Sequence, residues 1–178
     1  MRKRLISVVL FAILTGFMAV PAFSQADNAK TKNKAKGNDK LRISREFALF
    51  SFSYIEDKDW QSADHYLSEA IARDSSVGFY YDLRGNVRVA ERMFKDALAD
   101  YTEALRLDST DYDAHSGRAK VYYALKEYDK ALIDLSFVTS ADFTNAENYE
   151  LKAKIELLQG NCAEAQADME KAEKLLSQ

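Results

Sequence analysis

Shifted against itself by 34 residues, the chain superimposes column upon column. Ala63, Ala97, Ala131 and Ala165 fall together, as do Ala70, Ala104, Val138 and Ala172, and Ser51, Gly85, Ala119 and Ala153. Larger residues keep the same phase: Leu67, Tyr101, Leu135 and Met169 form one column, and Trp60, Phe94, Tyr128 and Cys162 another. Phe47, Tyr81, His115 and Tyr149 form a third. Within one period the stretch FKDALADYTEALRLD, from Phe94 to Asp108, puts Ala97, Tyr101, Ala104 and Leu105 on one stripe of a 3.6-residue helix. Burying a methyl releases much less free energy than burying a leucine side chain. Alanine recurring in mid-stripe therefore marks a place where a neighbouring backbone comes too near for anything larger. A period of this length is that of two helices per repeat, each pair burying its apolar stripe on the next. One Pro and six Gly in 178 residues argue against a turn-rich all-β chain.

In this frame the repeats span residues 44–77, 78–111, 112–145 and 146–178, the last one residue short. The columns resemble the tetratricopeptide repeat family, whose pattern sets an aromatic at position 4, a small residue at 8, an aromatic at 11, Ala at 20, a large residue at 24 and Ala at 27. The resemblance covers everything after residue 43 and agrees in phase across four copies. It departs at position 11, which is Tyr54 and Tyr122 in two repeats but Arg88 and Glu156 in the others. It departs again at the closing proline, replaced by Ser75, Ser109, Phe143 and Ser177. Arg73-Asp74-Ser75-Ser76 and Leu107-Asp108-Ser109-Thr110-Asp111 are expected to turn the chain through Asp and Ser side chains instead. The resemblance implies an all-α fold, a right-handed superhelical solenoid of four helix-turn-helix repeats. The first helix of each pair, helix A, would line its concave face.

Residues 1–24 are a different material. Met1-Arg2-Lys3-Arg4 is a basic start, Leu5 to Val20 is apolar apart from Ser7, Thr15 and Gly16, and Pro21-Ala22-Phe23-Ser24 ends in small residues. This reads as a secretory signal peptide, with cleavage after Ser24 or after Ala26 equally compatible. An uncleaved membrane anchor is the alternative, although the apolar run falls short of the ~20 residues of a comfortable span. Export is thus expected, to a periplasm first or the extracellular space second, with no stable membrane insertion after cleavage. Residues 25–43 carry Lys30, Lys32, Lys34, Lys36, Lys40 and Arg42 against Asp27 and Asp39, and 25–40 lack any large apolar residue. They are expected to form a disordered basic linker, a solvated spacer or a tether to an anionic surface. From residue 44 onward 16 basic residues face 26 acidic ones, which makes nucleic acid a poor partner.

Catalytic chemistry finds few residues here. There is no Gly-rich phosphate loop, Gly-x-Ser-x-Gly elbow, Cys-x-x-Cys or His-x-x-x-His, so no metal and no cofactor is expected. His115 shares a column with aromatics and reads as a packing residue, with a ligand or acid–base role as its alternative; His65 reads as exposed. Cys162, the single cysteine, occupies an aromatic column and reads as a buried small hydrophobe, with intermolecular pairing as the other possibility.

Binding is the better-supported class. The family's concave face uses positions 2, 5, 9, 12 and 13 of helix A. Position 9 carries Phe52, Asn86, Lys120 and Lys154, three donors in successive repeats; position 5 carries Asp82 and Ser116, and position 12 Tyr123. By resemblance this ladder would hold a protein or peptide segment through its carbonyls or acidic side chains, with Phe52 and Tyr123 as apolar pockets. An internal Glu150–Lys154 ion pair is the competing reading. Relatives that grip acidic chaperone tails use Lys and Asn at positions 5 and 9, Asn at 6 of the next repeat, then Lys and Arg at 2 and 6. The corresponding Asp82, Asn86, Gly117, Glu147 and Leu151 match once, which argues against that ligand class. Self-association through the array ends is the rival reading, since Ala167, Leu175 and Leu176 leave an apolar patch on an otherwise polar last helix.

Overall fold

A computed structural model describes residues 25–140 and 145–177, and side chains from residue 37 onward. The leader-like stretch 1–24 lies outside the described residues. Among those described there are eight helices and no strand: α1 (Gln25–Glu56), α2 (Trp60–Arg73), α3 (Gly78–Ala90), α4 (Phe94–Leu107), α5 (Tyr112–Ala124), α6 (Tyr128–Thr139), α7 (Ala146–Gln159) and α8 (Cys162–Leu176). Both helix series keep the sequence period. The even helices begin at Trp60, Phe94, Tyr128 and Cys162, and α3, α5 and α7 at Gly78, Tyr112 and Ala146. The repeats fall within one compact unit, Asn38–Gln178.

One expectation is corrected at once. Residues 25–43, expected to be disordered, are helical as the N-terminal part of α1. Lack of large apolar residues deprives a segment of a core, but Ala, Lys and Gln are strong helix formers and Leu41 onward supplies an anchored helix to extend.

The turn from helix A to helix B is the same each time. Lys58, Arg92 and Lys126 adopt φ of 57°, 62° and 61°, and Gly160 takes 85° at the equivalent place. The amide one residue on then closes the helix end: Asp59 N–H donates to Tyr54 C=O at 2.8 Å, Met93 to Arg88 at 2.8 Å, Glu127 to Tyr122 at 2.9 Å and Asn161 to Glu156 at 2.8 Å. This left-handed closure satisfies carbonyls that the helix itself leaves free. The return turns use carboxylates, as expected. Asp74 Oδ1 accepts from Ser76 N at 3.2 Å, Asp108 Oδ1 from Thr110 N at 2.9 Å, and Asp111 caps α5 by accepting from Ala114 N at 3.0 Å.

All three small-residue columns are buried, including Ala63, Ala97, Ala131 and Ala165; Ala70, Ala104 and Ala172; and Gly85, Ala119 and Ala153. Size compensation shows how tight the fit is. Leu135 packs with Ala119 and Leu151, and Leu67 with Leu83, so a leucine at position 24 meets a leucine at position 6 of the next repeat. Tyr101 is the bulky member of that column, and it faces glycine on both sides. A Cβ on Gly85 would lie 2.8 Å from its ring and one on Gly117 2.6 Å. Gly117→Leu should therefore cost about 1–3 kcal/mol in urea unfolding through overpacking. Adding Tyr101→Leu recreates the neighbouring Leu–Leu arrangement and should recover most of the loss; a double variant as unstable as the single would contradict this packing.

From α2 onward each helix packs on its chain neighbours, and in addition α3 reaches α5 and α5 reaches α7. No two successive even helices among α2, α4, α6 and α8 approach each other comparably. Within Asn38–Gln178 the A helices thus form the inner layer and the B helices the outer one, which is what a curved array requires.

Candidate functional site

The inner face places the expected binding column as a column, but its members do different things. Lys120 Nζ lies 2.9 Å from Glu147 Oε2 on the next A helix. That contact, rather than a Glu150–Lys154 pair, is the ion pair formed by this face, and Lys154 is exposed. It also shows that position 9 of one repeat sits beside position 2 of the next. The same two positions two repeats earlier hold Phe52 and Phe79, 39% and 52% exposed. Ser116 is half-buried, and its Oγ donates to Asn148 Oδ1 at 2.6 Å. Tyr123 is half-buried with its ring 6.0 Å from that of Tyr128, so it offers an edge rather than an open pocket.

Asn86 is not a free donor. Its Nδ2 donates to Asp82 Oδ2 at 3.2 Å while its Oδ1 accepts from the Tyr101 hydroxyl at 2.9 Å. The glycines flanking Tyr101 let the ring pass between α3 and α5, and that passage carries its hydroxyl to the inner face. Asp82 is 5% exposed and its Oδ1 is buried without a hydrogen-bond partner. Burial, reinforced by Asp111 and Asp113, pushes this carboxyl up to about 7.

Sequence reading missed a second periodic set. Arg84, Arg118 and Lys152 stand 34 residues apart, as do Asp100, Asp134 and Asp168. In the last three repeats the cation of helix A meets the buried aspartate of helix B. Arg84 grips Asp100 through Nε at 3.0 Å and Nη2 at 2.7 Å, Arg118 grips Asp134 at 2.8 and 2.7 Å, and Lys152 meets Asp168. Arg88, which replaces the family's aromatic at position 11, bridges Asp64 at 2.8 Å and Asp100 at 2.7 Å. In the first repeat the same two positions are Phe50 and Tyr66, whose rings lie 5.8 Å apart. An aromatic pair stands there in place of the ion pair, with Phe50 59% exposed.

His115 turns out to be part of this set rather than a plain packing residue. Its Nδ1 lies 2.7 Å from Asp134 Oδ1, and its ring lies 4.3 Å from that of Phe137. Cys162 is exposed, contrary to the sequence reading. The aromatics of its column reach the core from half-buried positions, and a cysteine side chain is too short to follow them. His65 is exposed, and on α8 Leu175 and Leu176 are 37% and 70% exposed. No three His, Cys, Asp or Glu side chains converge as a metal cage among the described residues, and none of the described helices is long and apolar enough to cross a membrane.

Comparison with known proteins agrees with this geometry. The tetratricopeptide repeat profile matches residues 88–155. Among curated proteins, U-box domain-containing protein 70 of Oryza sativa subsp. japonica is 27% identical over 116 residues, covering 56% of this chain but 14% of that protein. This chain therefore corresponds to a small fraction of that relative. Among solved structures, MamA superimposes with a TM-score of 0.71 at 18% identity, covering 87% of this chain and 96% of that one. The first tetratricopeptide domain of Spaghetti (RPAP3), bound to the HSP90 peptide SRMEEVD, superimposes with a TM-score of 0.63 at 18% identity, covering 66% and 95%. Residues 88–155 are thus similar to tetratricopeptide repeats, and the fold is shared with these solved structures.

Proposed function

We propose that the chain is an exported, non-catalytic interaction module that binds a peptide or protein segment along the face of its A helices. One observation carries this reading: the inner face leaves large apolar side chains, Phe52, Phe79, Leu157 and Leu158, open to solvent in positions where a core would have covered them. A peptide-bound neighbour of the same fold supports it. That neighbour's acidic ligand does not transfer, since Asp82 and Glu147 stand where the chaperone-tail clamp needs lysines. Export rests on the reading of residues 1–24. The rival, end-to-end self-association, draws support from the exposed Leu175 and Leu176.

The test is affinity capture from an envelope extract with the wild-type chain and a Phe52→Ser, Phe79→Ser variant. Both substitutions fall on exposed positions and should leave the helical signal intact. Capture of the principal partner should fall at least tenfold; equal recovery by the two baits would reject the groove.

A further inference from the structure

Four aspartates of the repeats are almost wholly buried: Asp82, Asp100, Asp134 and Asp168. Three have a cation in contact, as described above. Asp82 has none among the described residues, and it is the one on the inner face. The groups that face it come from three elements. Asn86 of α3 donates to its Oδ2, Tyr101 of α4 spends its hydroxyl proton on Asn86, and Asp111 and Asp113 at the start of α5 bring two further negative charges. Lys120, one repeat along the same face, is held by Glu147. A buried carboxylate with an unpartnered oxygen and two acidic neighbours is the costliest arrangement on this surface. Adjacent repeats show that the fold readily supplies an arginine or lysine to such a group, yet here it does not.

We propose that this part of the groove receives a lysine or arginine side chain of a partner protein's extended segment, with exposed Asp113 at the rim as its contact and buried Asp82 beneath it as a second counter-charge. The inference rests on the groove reading above and gives it a ligand class, opposite in sign to the acidic tails bound by some relatives. The mechanism has a proton in it. In the free chain near neutral pH the Asp82 carboxyl is partly protonated; an arriving cation favours the carboxylate, and the proton leaves to the solvent. The chain's acidic repeats, 26 acidic against 16 basic residues from position 44 onward, attract such a segment from a distance.

The experiment is selection of a random seven-residue display library on the immobilised full-length chain at pH 7, followed by calorimetry of the enriched peptides in two buffers of different ionisation heat. Enriched peptides should carry Lys or Arg. Their binding should release protons at pH 7 and not at pH 9, and should weaken at least tenfold with Asp82→Asn, a variant whose melting temperature at pH 7 should equal or exceed the wild type's. Enriched peptides without a basic residue, or equal affinity for Asp82→Asn, would overturn the assignment of the cation while leaving the groove reading in place. No enrichment at all would remove both. A dimer that competes with the peptide in sedimentation would overturn the choice of a foreign partner.

Discussion

Asp100→Ala should destabilise the fold by about 3–5 kcal/mol, the cost of removing one partner from a buried ion pair. The substitution takes from Arg84 its only carboxylate among the described residues, leaving Ser68 Oγ as its one acceptor there, and takes one of two carboxylates from Arg88. With side chains 14% and 17% exposed, neither guanidinium is free to turn fully into water, so the loss is mostly unpaid desolvation. Arg88 keeps Asp64 and limits the damage. The first repeat names the repair. Phe50 and Tyr66 occupy the equivalent positions, so Arg84→Phe with Asp100→Tyr should recover much of the stability that Asp100→Ala loses. Chemical denaturation of the three chains checks this; an Asp100→Ala variant within 1 kcal/mol of wild type would show that the pair is solvated rather than buried.

Asp82→Asn should stabilise the chain, and increasingly so as the pH rises. The carboxyl sits at about 7 in the fold against a usual 3.8, chiefly through burial. An acid raised on folding binds its proton more tightly in the native state, so its contribution is favourable below pH 4 and is lost as the pH climbs through 7. Linkage puts that loss at ~4 kcal/mol between the two limits. Other carboxylates work in the opposite sense. Hydrogen bonds from Ser62, Arg73, Ser76, Arg106 and Thr110 hold Asp59, Glu69, Asp74, Glu103 and Asp108 below their usual values, so they add stability as the pH rises out of the acid range. The informative quantity is thus the difference between Asp82→Asn and wild type. It should be small near pH 4 and approach ~4 kcal/mol by pH 8; a difference that does not change with pH would mean that folding leaves the Asp82 carboxyl at its usual value.

The fold was legible because steric fit repeats. Columns of Ala and Gly state where backbones meet, and α3, α5 and α7 begin at the same 34-residue interval, at Gly78, Tyr112 and Ala146. Among the A-to-B turns, only Gly160 has the residue type that advertises a left-handed backbone. Lys58, Arg92 and Lys126 adopt the same left-handed backbone without the residue type that advertises it, because the surrounding helices impose the turn. The ion-pair ladder was hidden for another reason. Each of its columns has the same 34-residue spacing, but a lysine or arginine paired with an aspartate 16 residues away carries no meaning until two helices are known to lie side by side. Of the groove, Phe52 and Lys154 stand exposed. Asn86 and Lys120 do not act as free donors, since a side chain's partners depend on neighbours 15 and 27 residues away that periodicity does not rank. Residues 25–43 show the limit of composition: it reports the absence of a core, not the absence of a helix.

The most direct test of the account is amide chemical-shift mapping of the chain with a peptide that it binds. Perturbations should gather on the A helices, around Asp82, Asn86, Ser116 and Lys120, and leave the outward side of α4 and α6, including Lys95 and Ile133, unchanged. Shifts concentrated on those outer helices would contradict the inner face as the working surface of the array.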